Sequence, residues 1–205
     1  MPWKLQVPER PYAAYLFDCD GTLADSMPIH YEAWVAAIRQ QIPEFEWPLD
    51  FFYSMAGVNV HETVRRLNER FSVEIDPETA EADKLAGFEK VSASIEPIPS
   101  VVAFARDLAT RNVPRAIGTG AHRVDAEQTL KAVGAWDLFD ILIAQEDVAR
   151  GKPDPETWLS AAERLGVDPE DCLVLEDGEL GIQAARAAGM DVVRVPHDWR
   201  EVNSA

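Results

Sequence analysis

The stretch A-A-Y-L-F-D-C-D-G-T-L, residues 13–23, runs from an apolar segment directly into two aspartates. A short apolar run bounded by turn-forming residues is typical of a buried strand. Asp18 and Asp20 would therefore lie at the carboxyl end of that strand, which is where open parallel sheets bind their ligands. An isolated D-x-D pair is more often a solvated turn, but the apolar strand before it and Gly21 and Thr22 after it favour a functional site here.

Further apolar runs follow along the chain and alternate with helical patterns. They are Arg115–Gly118, Ile141–Ala144, Cys172–Leu175 and Asp191–Val195. Asp154 is expected to cap the helix that Gly166 ends, with Leu159 on its inner face, and Gly189 is expected to end the helix before the last run. Buried strands that alternate with helices are typical of a parallel sheet covered on both faces. We therefore predict an α/β fold with a Rossmann-like, doubly wound parallel sheet as its core.

One interval, residues 27–95, shows no strand pattern. Amphipathic helix patterns follow one another there, at Ile29–Ile42, Phe51–Met55, His61–Phe71 and in a longer segment opened by Asp76 and Pro77. We therefore expect an inserted all-helical cap domain at residues 28–95 and a core formed by residues 1–27 and 96–205. The chain from about His197 onward is expected to be a polar tail.

The composition and net charge limit which class of protein this is and which partners it can bind. The chain has 205 residues, of which 47% are hydrophobic and 27% charged, as in ordinary globular proteins. Its formal net charge of −17 makes nucleic acid and anionic membranes poor partners, because the field of the protein repels phosphate backbones. The sequence has no apolar run of about 18 residues and no long hydrophobic core of a signal peptide, so we expect a cytoplasmic location. Cys19 and Cys172 are expected to be buried, reduced thiols.

Three later segments carry further candidate site residues, two of them where predicted strands end. The segment R-A-I-G-T-G-A brings Thr119 to such an end, where a helix cap is the usual alternative. In R-G-K-P-D-P-E, Lys152 precedes two prolines and a helix start, where a surface lysine is the usual alternative. The segment C-L-V-L-E-D-G-E-L-G-I runs from a buried strand into Glu176 and Asp177, which are hard oxygen ligands of the kind that Mg²⁺ prefers.

These segments, together with the first stretch and in this order, resemble the motifs of the haloacid dehalogenase superfamily over nearly the whole chain. The resemblance implies that Asp18 is a nucleophile that forms an aspartyl-phosphate. It implies that Asp20 is the general acid and base. The Thr119 hydroxyl and the Gly120 amide would bind the transferring phosphoryl group, and Lys152 would offset its negative charge.

The resemblance also implies Mg²⁺ as the cofactor. Asp177 would bind the ion directly, together with the carboxylate of Asp18 and the backbone carbonyl of Asp20, and Glu176 would lie in contact with the ion or just behind its ligands. The expected partner is a small-molecule phosphate ester, which lysine, amides and a metal ion can bind locally despite the negative charge of the protein. The chain is expected to be a monomer or a weak homodimer.

The helical insert occupies the position of the mobile cap in the subgroup that contains β-phosphoglucomutase and many sugar-phosphate phosphatases. His30 stands in the hinge segment D-S-M-P-I-H, where the mutase has a histidine that links closure to the acid–base aspartate. An exposed histidine in a first helical turn is the alternative. The mutase carries a basic residue for a second phosphate at the place of Val60, so Val60 argues against mutase activity. Arg65 and Arg66 could partly replace this charge or form a solvated helix face.

The resemblance is closer to bacterial phosphatases acting on fructose 1-phosphate or 6-phosphogluconate, which share the run E-D-x-x-x-G-I-Q-A-A-R-A-A-G-M at residues 176–190. We therefore predict a Mg²⁺-dependent phosphatase for a small phosphorylated metabolite, with a β-phosphoglucomutase-like hexose phosphomutase as the alternative. A dehalogenase would need neither a leaving-group acid nor a metal, so Asp20, Glu176 and Asp177 argue against it. The intact set of polar residues also argues against a catalytically idle phosphosugar-binding module.

Overall fold

The computed structural model describes residues 3–58 and 60–200. Its strands are β1 (Ala14–Phe17), β2 (Arg115–Gly118), β3 (Leu142–Ile143), β4 (Cys172–Glu176) and β5 (Asp191–Arg194). Its α-helices are α1 (Met27–Gln41), α2 (Leu49–Ser54), α3 (Val60–Phe71), α4 (Pro77–Val91), α5 (Pro99–Thr110), α6 (Arg123–Ala132), α7 (Glu156–Leu165) and α8 (Glu179–Ala187). Every predicted strand is therefore present, with bounds within one residue of those expected.

Strand β1 lies at the centre of the sheet, whose order is β3-β2-β1-β4-β5 with all neighbours parallel. The chain builds one side of the sheet from β1 outward and then returns to build the other. The strand order thus reverses beside β1, at the switch point where open α/β sheets bind ligands. Phe17 is in register with Ile117 of β2 and Leu175 of β4, so the residues that follow these three strands meet at one edge. The predicted fold class is confirmed.

The side chains of β1 alternate between two hydrophobic clusters. Tyr15 and Phe17 belong to a cluster with α5 and α6, whereas Ala14 and Leu16 belong to a second cluster with α7 and α8. A strand that buries both of its faces reads as a continuous apolar run. This is why the sequence of residues 13–17 indicates a buried strand.

Helix α7 packs on the sheet through Trp158, which is fully buried. A Cβ on Gly118 of β2 would lie 2.6 Å from the Trp158 ring, so the absence of a side chain makes room for the indole. The prediction that Leu159 lies on the inner face is wrong, because this side chain is 39% exposed and the larger ring next to it takes the buried face. The Asp154 carboxylate accepts a hydrogen bond from the Glu156 N–H at 3.1 Å and so caps the start of α7, as expected.

Helices α1–α4 lie between β1 and β2 along the chain and share a hydrophobic cluster of their own. Trp34 and Ile38 of α1 pack there with Phe52 of α2 and Leu67 of α3. Asp76 caps α4, because its side chain accepts a hydrogen bond from the Thr79 N–H at 2.8 Å. The division into a cap at residues 28–95 and a core stays a prediction, although the helical insert itself lies where it was expected.

The two segments that join the insert to the sheet, called the linkers below, run antiparallel at residues 23–26 and 95–98. The N–H of Asp25 donates to the carbonyl of Glu96 at 2.8 Å. Arg200 forms ion pairs with both of these side chains, at 2.6 Å in the case of Glu96. Trp199 is buried in the core, and His197 stacks on Tyr53 of α2 with ring centroids 4.5 Å apart. The polar tail predicted from His197 is therefore wrong as far as Arg200, and residues 201–205 lie outside the described part.

Every helix in the described ranges is too short or too polar to cross a lipid bilayer. Cys19 and Cys172 are buried and free of disulfide bonds, as expected.

Candidate active site

Asp18 and Lys152 form a buried ion pair at the carboxyl edge of the sheet. Asp18 directly follows β1, and its N–H donates to the Leu175 carbonyl of β4 at 3.0 Å. The Lys152 ammonium donates to Oδ1 of Asp18 (2.6 Å), to Oε2 of Glu176 (2.7 Å) and to the Gly118 carbonyl (3.0 Å). These contacts use all three N–H donors of the ammonium. Lys152 is therefore a fixed charge held between two carboxylates.

Three carboxylates outnumber this single ammonium. Asp18, Glu176 and Asp177 are buried, and each has an oxygen within 4.8 Å of the others. Burial, followed by the charge of Glu176, raises the pKa of both Asp18 and Asp177 well above the usual value. Burial alone would lower the pKa of Lys152, but its two carboxylate partners raise it instead. The cluster therefore contains more negative than positive groups. Its hard oxygen donors fit a divalent cation such as Mg²⁺.

The two acids at the end of β4 have different partners. Both oxygens of Glu176 are engaged, because Oε2 accepts from Lys152 and Oε1 accepts the Gly178 N–H at 2.9 Å. Asp177 accepts a hydrogen bond from the Thr22 hydroxyl at Oδ1, at 3.2 Å. These contacts favour Glu176 as the residue that holds the lysine and Asp177 as the metal ligand.

Asp20 is bonded to the first linker and to the insert. Its Oδ1 accepts a hydrogen bond from the Ser26 hydroxyl at 2.6 Å and lies 3.3 Å from Nε2 of His30. His30 stacks on Phe88 of α4, with centroids 4.2 Å apart, and only 16% of its side chain is exposed. The alternative of an exposed first-turn histidine is therefore wrong. Burial alone would raise the pKa of Asp20, but the contacts with His30 and Ser26 lower it below the usual value.

Thr119 and Gly120 follow β2 at the same edge. Thr119 is buried, and its hydroxyl oxygen accepts the Ala121 N–H at 3.1 Å. The N-cap of helix α6 is His122, so Thr119 is not the cap of that helix. A Cβ on Gly120 would lie 3.4 Å from the carbonyl oxygen of Gly57, which shows how closely a loop of the insert approaches the sheet edge.

A cavity of about 630 Å³ lies between this edge and the helices of the insert. This volume is within the usual range for small-molecule sites. All of the predicted site residues line it, namely Asp18, Asp20, His30, Thr119, Gly120, Lys152, Glu176 and Asp177. The insert contributes four large aromatic side chains to its wall, namely Trp34, Trp47, Phe52 and Phe88. The structure thus brings together side chains that are far apart in the sequence.

Residues 12–189 match the family model of haloacid dehalogenase-like hydrolases. The chain belongs to this family. It is 34% identical over 187 residues to the fructose-1-phosphate phosphatase YqaB of Escherichia coli, covering 90% of this chain and 96% of that protein. It is 28% identical over 190 residues to the β-phosphoglucomutase of Bacillus subtilis, covering 89% and 82%. A solved hydrolase from Pseudomonas syringae has a TM-score of 0.77 at 25% identity, covering 88% of this chain and 83% of that one. The family and the hydrolase class predicted from the sequence are confirmed.

The arginines that could have replaced a basic residue at position 60 of this hydrolase are engaged elsewhere. Arg65 and Arg66 each form an ion pair with Glu62 at 2.7 Å, on the surface of α3. Neither arginine lines the cavity, whereas Val60 does. Of the two alternatives for this pair, the solvated helix face is the one observed.

Sequence reasoning missed several polar residues of the site. Thr22 was treated only as part of a turn, and the cavity residues Glu81, Lys84 and Asp125 were not singled out. Helix phase offered a signal for Lys84, because it precedes Phe88 by one turn and shares its face. Its ammonium lies 5.1 Å from the centre of the Phe88 ring.

Gly21 allows Asp177 to approach the loop after β1. Its φ of +89° is a conformation that residues with a Cβ rarely adopt. A Cβ at this position would lie 2.3 Å from Oδ2 of Asp177. An added methyl group would therefore both strain the backbone and displace a carboxylate of the acid cluster.

We expect Gly21→Ala to lower the free energy of unfolding by about 1 kcal/mol or more and to reduce kcat by about 10²-fold, because a small displacement of a site residue is costly. Gly166→Ala is the matched control, because Gly166 has a φ of +68° and a methyl group added to it would meet nothing within 4 Å. The control should lose only the part of the stability that comes from backbone strain, and it should keep its turnover. Urea unfolding and phosphate-release assays measure the two effects, and equal kcat in both variants would contradict the role given to the Asp177 position.

Proposed function

We propose that this hydrolase is a Mg²⁺-dependent phosphatase that cleaves a sugar phosphate of the fructose 1-phosphate type through an aspartyl-phosphate on Asp18. The observation that carries the proposal is the Asp18 carboxylate, bonded to Lys152 at 2.6 Å and clustered with Asp177, at the floor of a cavity of metabolite size. The phosphatase that is 34% identical supports the phosphoric monoester hydrolase predicted from the sequence.

In the first step, a carboxylate oxygen of Asp18 attacks phosphorus and the bond between phosphorus and the sugar oxygen breaks. The electron pair of that bond stays on the sugar oxygen, which takes a proton from Asp20. The Thr119 hydroxyl and the Gly120 N–H donate hydrogen bonds to the phosphoryl oxygens. Lys152 offsets the negative charge that Asp18 and the phosphoryl group share.

The contacts with His30 and Ser26 lower the pKa of Asp20. This carboxyl group therefore has to acquire its proton when substrate binds. A phosphate dianion beside Asp18 adds like charge, which raises the pKa of a neighbouring carboxyl group. His30, whose Nε2 lies 3.3 Å from Asp20, is positioned to exchange this proton. In the second step the ionised Asp20 accepts a proton from water, the water oxygen attacks phosphorus, and the bond from phosphorus to Asp18 breaks to release inorganic phosphate.

The residues that would hold Mg²⁺ are Asp18, Asp177 and the backbone carbonyl of Asp20, with Glu176 behind them. The donor set fits the ion, because these are hard oxygen ligands and the buried acid cluster carries more negative than positive charge. When bound, the ion supplies charge neutralisation at the nucleophile and the phosphate. Lys152 and Glu176 keep the Asp18 carboxylate in place on the other side.

A hexose phosphomutase is the second candidate, because the Bacillus subtilis relative bears that name. A mutase has to hold a bisphosphate, which needs positive charge for the second phosphate. Val60 is apolar, and Arg65 and Arg66 are paired with Glu62 outside the cavity. Incubation with β-glucose 1-phosphate separates the two functions, because a mutase yields glucose 6-phosphate and a phosphatase yields glucose and free phosphate.

The proposal is tested by phosphate release from a panel of sugar phosphates, polyol phosphates and nucleotides, with Mg²⁺ or with EDTA. We expect turnover of sugar phosphates with Mg²⁺ and its loss with EDTA. In the same samples, Mg²⁺ at a hundred times its Kd should stabilise the fold by about 2.7 kcal/mol, seen as a higher Tm. Turnover that is unaffected by EDTA, or a panel without any turnover, would refute the proposal.

A further inference from the structure

We propose that the end of the cavity facing the leaving group selects phosphate esters whose alcohol carries no second anionic group, such as a neutral sugar or polyol, and rejects bisphosphates and sugar acids. This inference rests on the proposed phosphatase function and concerns the substrate class of the same site.

This inference is based on the charged side chains along the cavity wall. Away from the acid cluster, the charged side chains that line the cavity are Glu81 and Lys84 of α4 and Asp125 of α6. Two carboxylates thus face one ammonium there. The carboxylates of Asp20, Asp125 and Glu81 all attract the Lys84 ammonium, so part of its positive charge is offset. A second phosphate or a carboxylate on the substrate would meet a wall of net negative charge.

Two other basic side chains at the cavity, Lys152 and His122, are held by carboxylates. Lys152 is held by Asp18 and Glu176 and serves the transferring phosphoryl group. Among the described residues that line the cavity there is no arginine, and its lysines are Lys84 and Lys152. The imidazole of His122 lies 2.8 Å from the Glu146 carboxylate, its partner on the surface.

The uncharged part of the wall suits a sugar or polyol. Trp34 and Phe52 offer aromatic surface for the C–H faces of a carbon skeleton. Thr63, Thr129 and Gln145 offer neutral hydroxyl and amide groups that can exchange hydrogen bonds with hydroxyls. Like charges placed together across an interface suppress the wrong partner. The negative wall therefore acts as the selective element.

The test compares kcat/KM for fructose 1-phosphate, fructose 1,6-bisphosphate and 6-phosphogluconate at one ionic strength and with saturating Mg²⁺. The first two differ only by the second phosphate group. We expect fructose 1-phosphate to be preferred over each of the others by about tenfold or more. Comparable values for all three, with clear turnover, would overturn the inference and leave the phosphatase function intact. Absence of turnover with every ester would instead overturn the proposed function.

A charge-neutral double variant, Glu81→Gln with Asp125→Asn, tests where the selectivity originates. We expect the preference for fructose 1-phosphate over the bisphosphate to shrink by about tenfold, because the negative wall is removed. The ratio of the two substrates cancels any common loss of activity. The control is Glu78→Gln with Asp107→Asn, which removes the same two charges from exposed positions and should leave the ratio unchanged.

An unchanged ratio in the cavity variant, or an equal change in the control, would overturn the assignment to these residues. Thermal melting establishes that each variant is folded. If the double variant does not fold, the single variant Asp125→Asn is measured in the same way, and an unchanged ratio there also counts against the inference.

Discussion

Asp18→Asn is expected to lose more than about 10³-fold in kcat while the protein remains folded. The amide is nearly the same size as the carboxylate but is not a nucleophile toward phosphorus, so the aspartyl-phosphate cannot form. The stability of the metal-free variant should equal or exceed that of the parent, because burial and the charge of Glu176 already disfavour the ionised Asp18. Phosphate-release kinetics and urea unfolding without Mg²⁺ measure the two effects.

The control for this variant is Asp140→Asn, at an exposed position before β3, which should keep both activity and stability. Retention of full turnover by Asp18→Asn would remove this residue from the mechanism. Loss of turnover together with unfolding would leave the chemistry undecided for that variant, so the stability measurement without metal belongs to the same experiment.

Lys152→Met is expected to give the largest loss of stability, about 3–5 kcal/mol at pH 7, together with loss of turnover. The substitution leaves the carboxylates of Asp18 and Glu176 buried without the ammonium that contacts both at 2.6 and 2.7 Å. Lys131→Met is the control, because Lys131 is exposed and pairs with Glu127 at 3.4 Å on one helix face. Such surface pairs contribute about 0.3–0.5 kcal/mol.

The loss in Lys152→Met should depend on pH. The pKa of Asp18 is raised in the folded protein, and removal of the ammonium raises it further. A carboxyl group with a raised folded-state pKa contributes stability at low pH, and this contribution is lost as the pH increases. The variant should therefore lie closer to the parent at pH 5 than at pH 8 in urea unfolding. A pH-independent difference would show that lost packing against Trp158, rather than unpaired charge, causes the defect.

The sheet was predictable because its strands bury both faces. The runs 13–17 and 172–175 are continuously apolar, and such runs bounded by turn residues have few other interpretations. The parallel order then brings the residues after β1, β2 and β4 to one edge without further information. The acids and Thr119 were therefore accessible from the sequence, whereas the resemblance to a known family indicated Lys152 and supplied the roles of all these residues.

The remaining features depend on how separate elements pack, which local patterns do not encode. The negative wall joins Glu81 of α4 to Asp125 of α6, and their proximity follows from the way the insert lies on the sheet. The buried face of α7 was predicted wrongly. The apolar pattern placed Leu159 on it, but the larger side chain of Trp158 occupies that face. The final segment read as polar, yet its tryptophan and arginine contact residues about a hundred positions earlier in the chain.

The contacts of Arg200 tie the placement of α1–α4 to a distant part of the polypeptide. Any rotation of these helices relative to the sheet passes through the backbone torsion angles of the two linkers, because no other covalent path joins them. Arg200 bridges Asp25 of one linker and Glu96 of the other, and His197 rests against α2. Truncation of the chain before His197 therefore removes contacts that hold the two linkers, and a purification tag fused close behind Arg200 could disturb them. Either change would alter how the helices can move over the catalytic pocket.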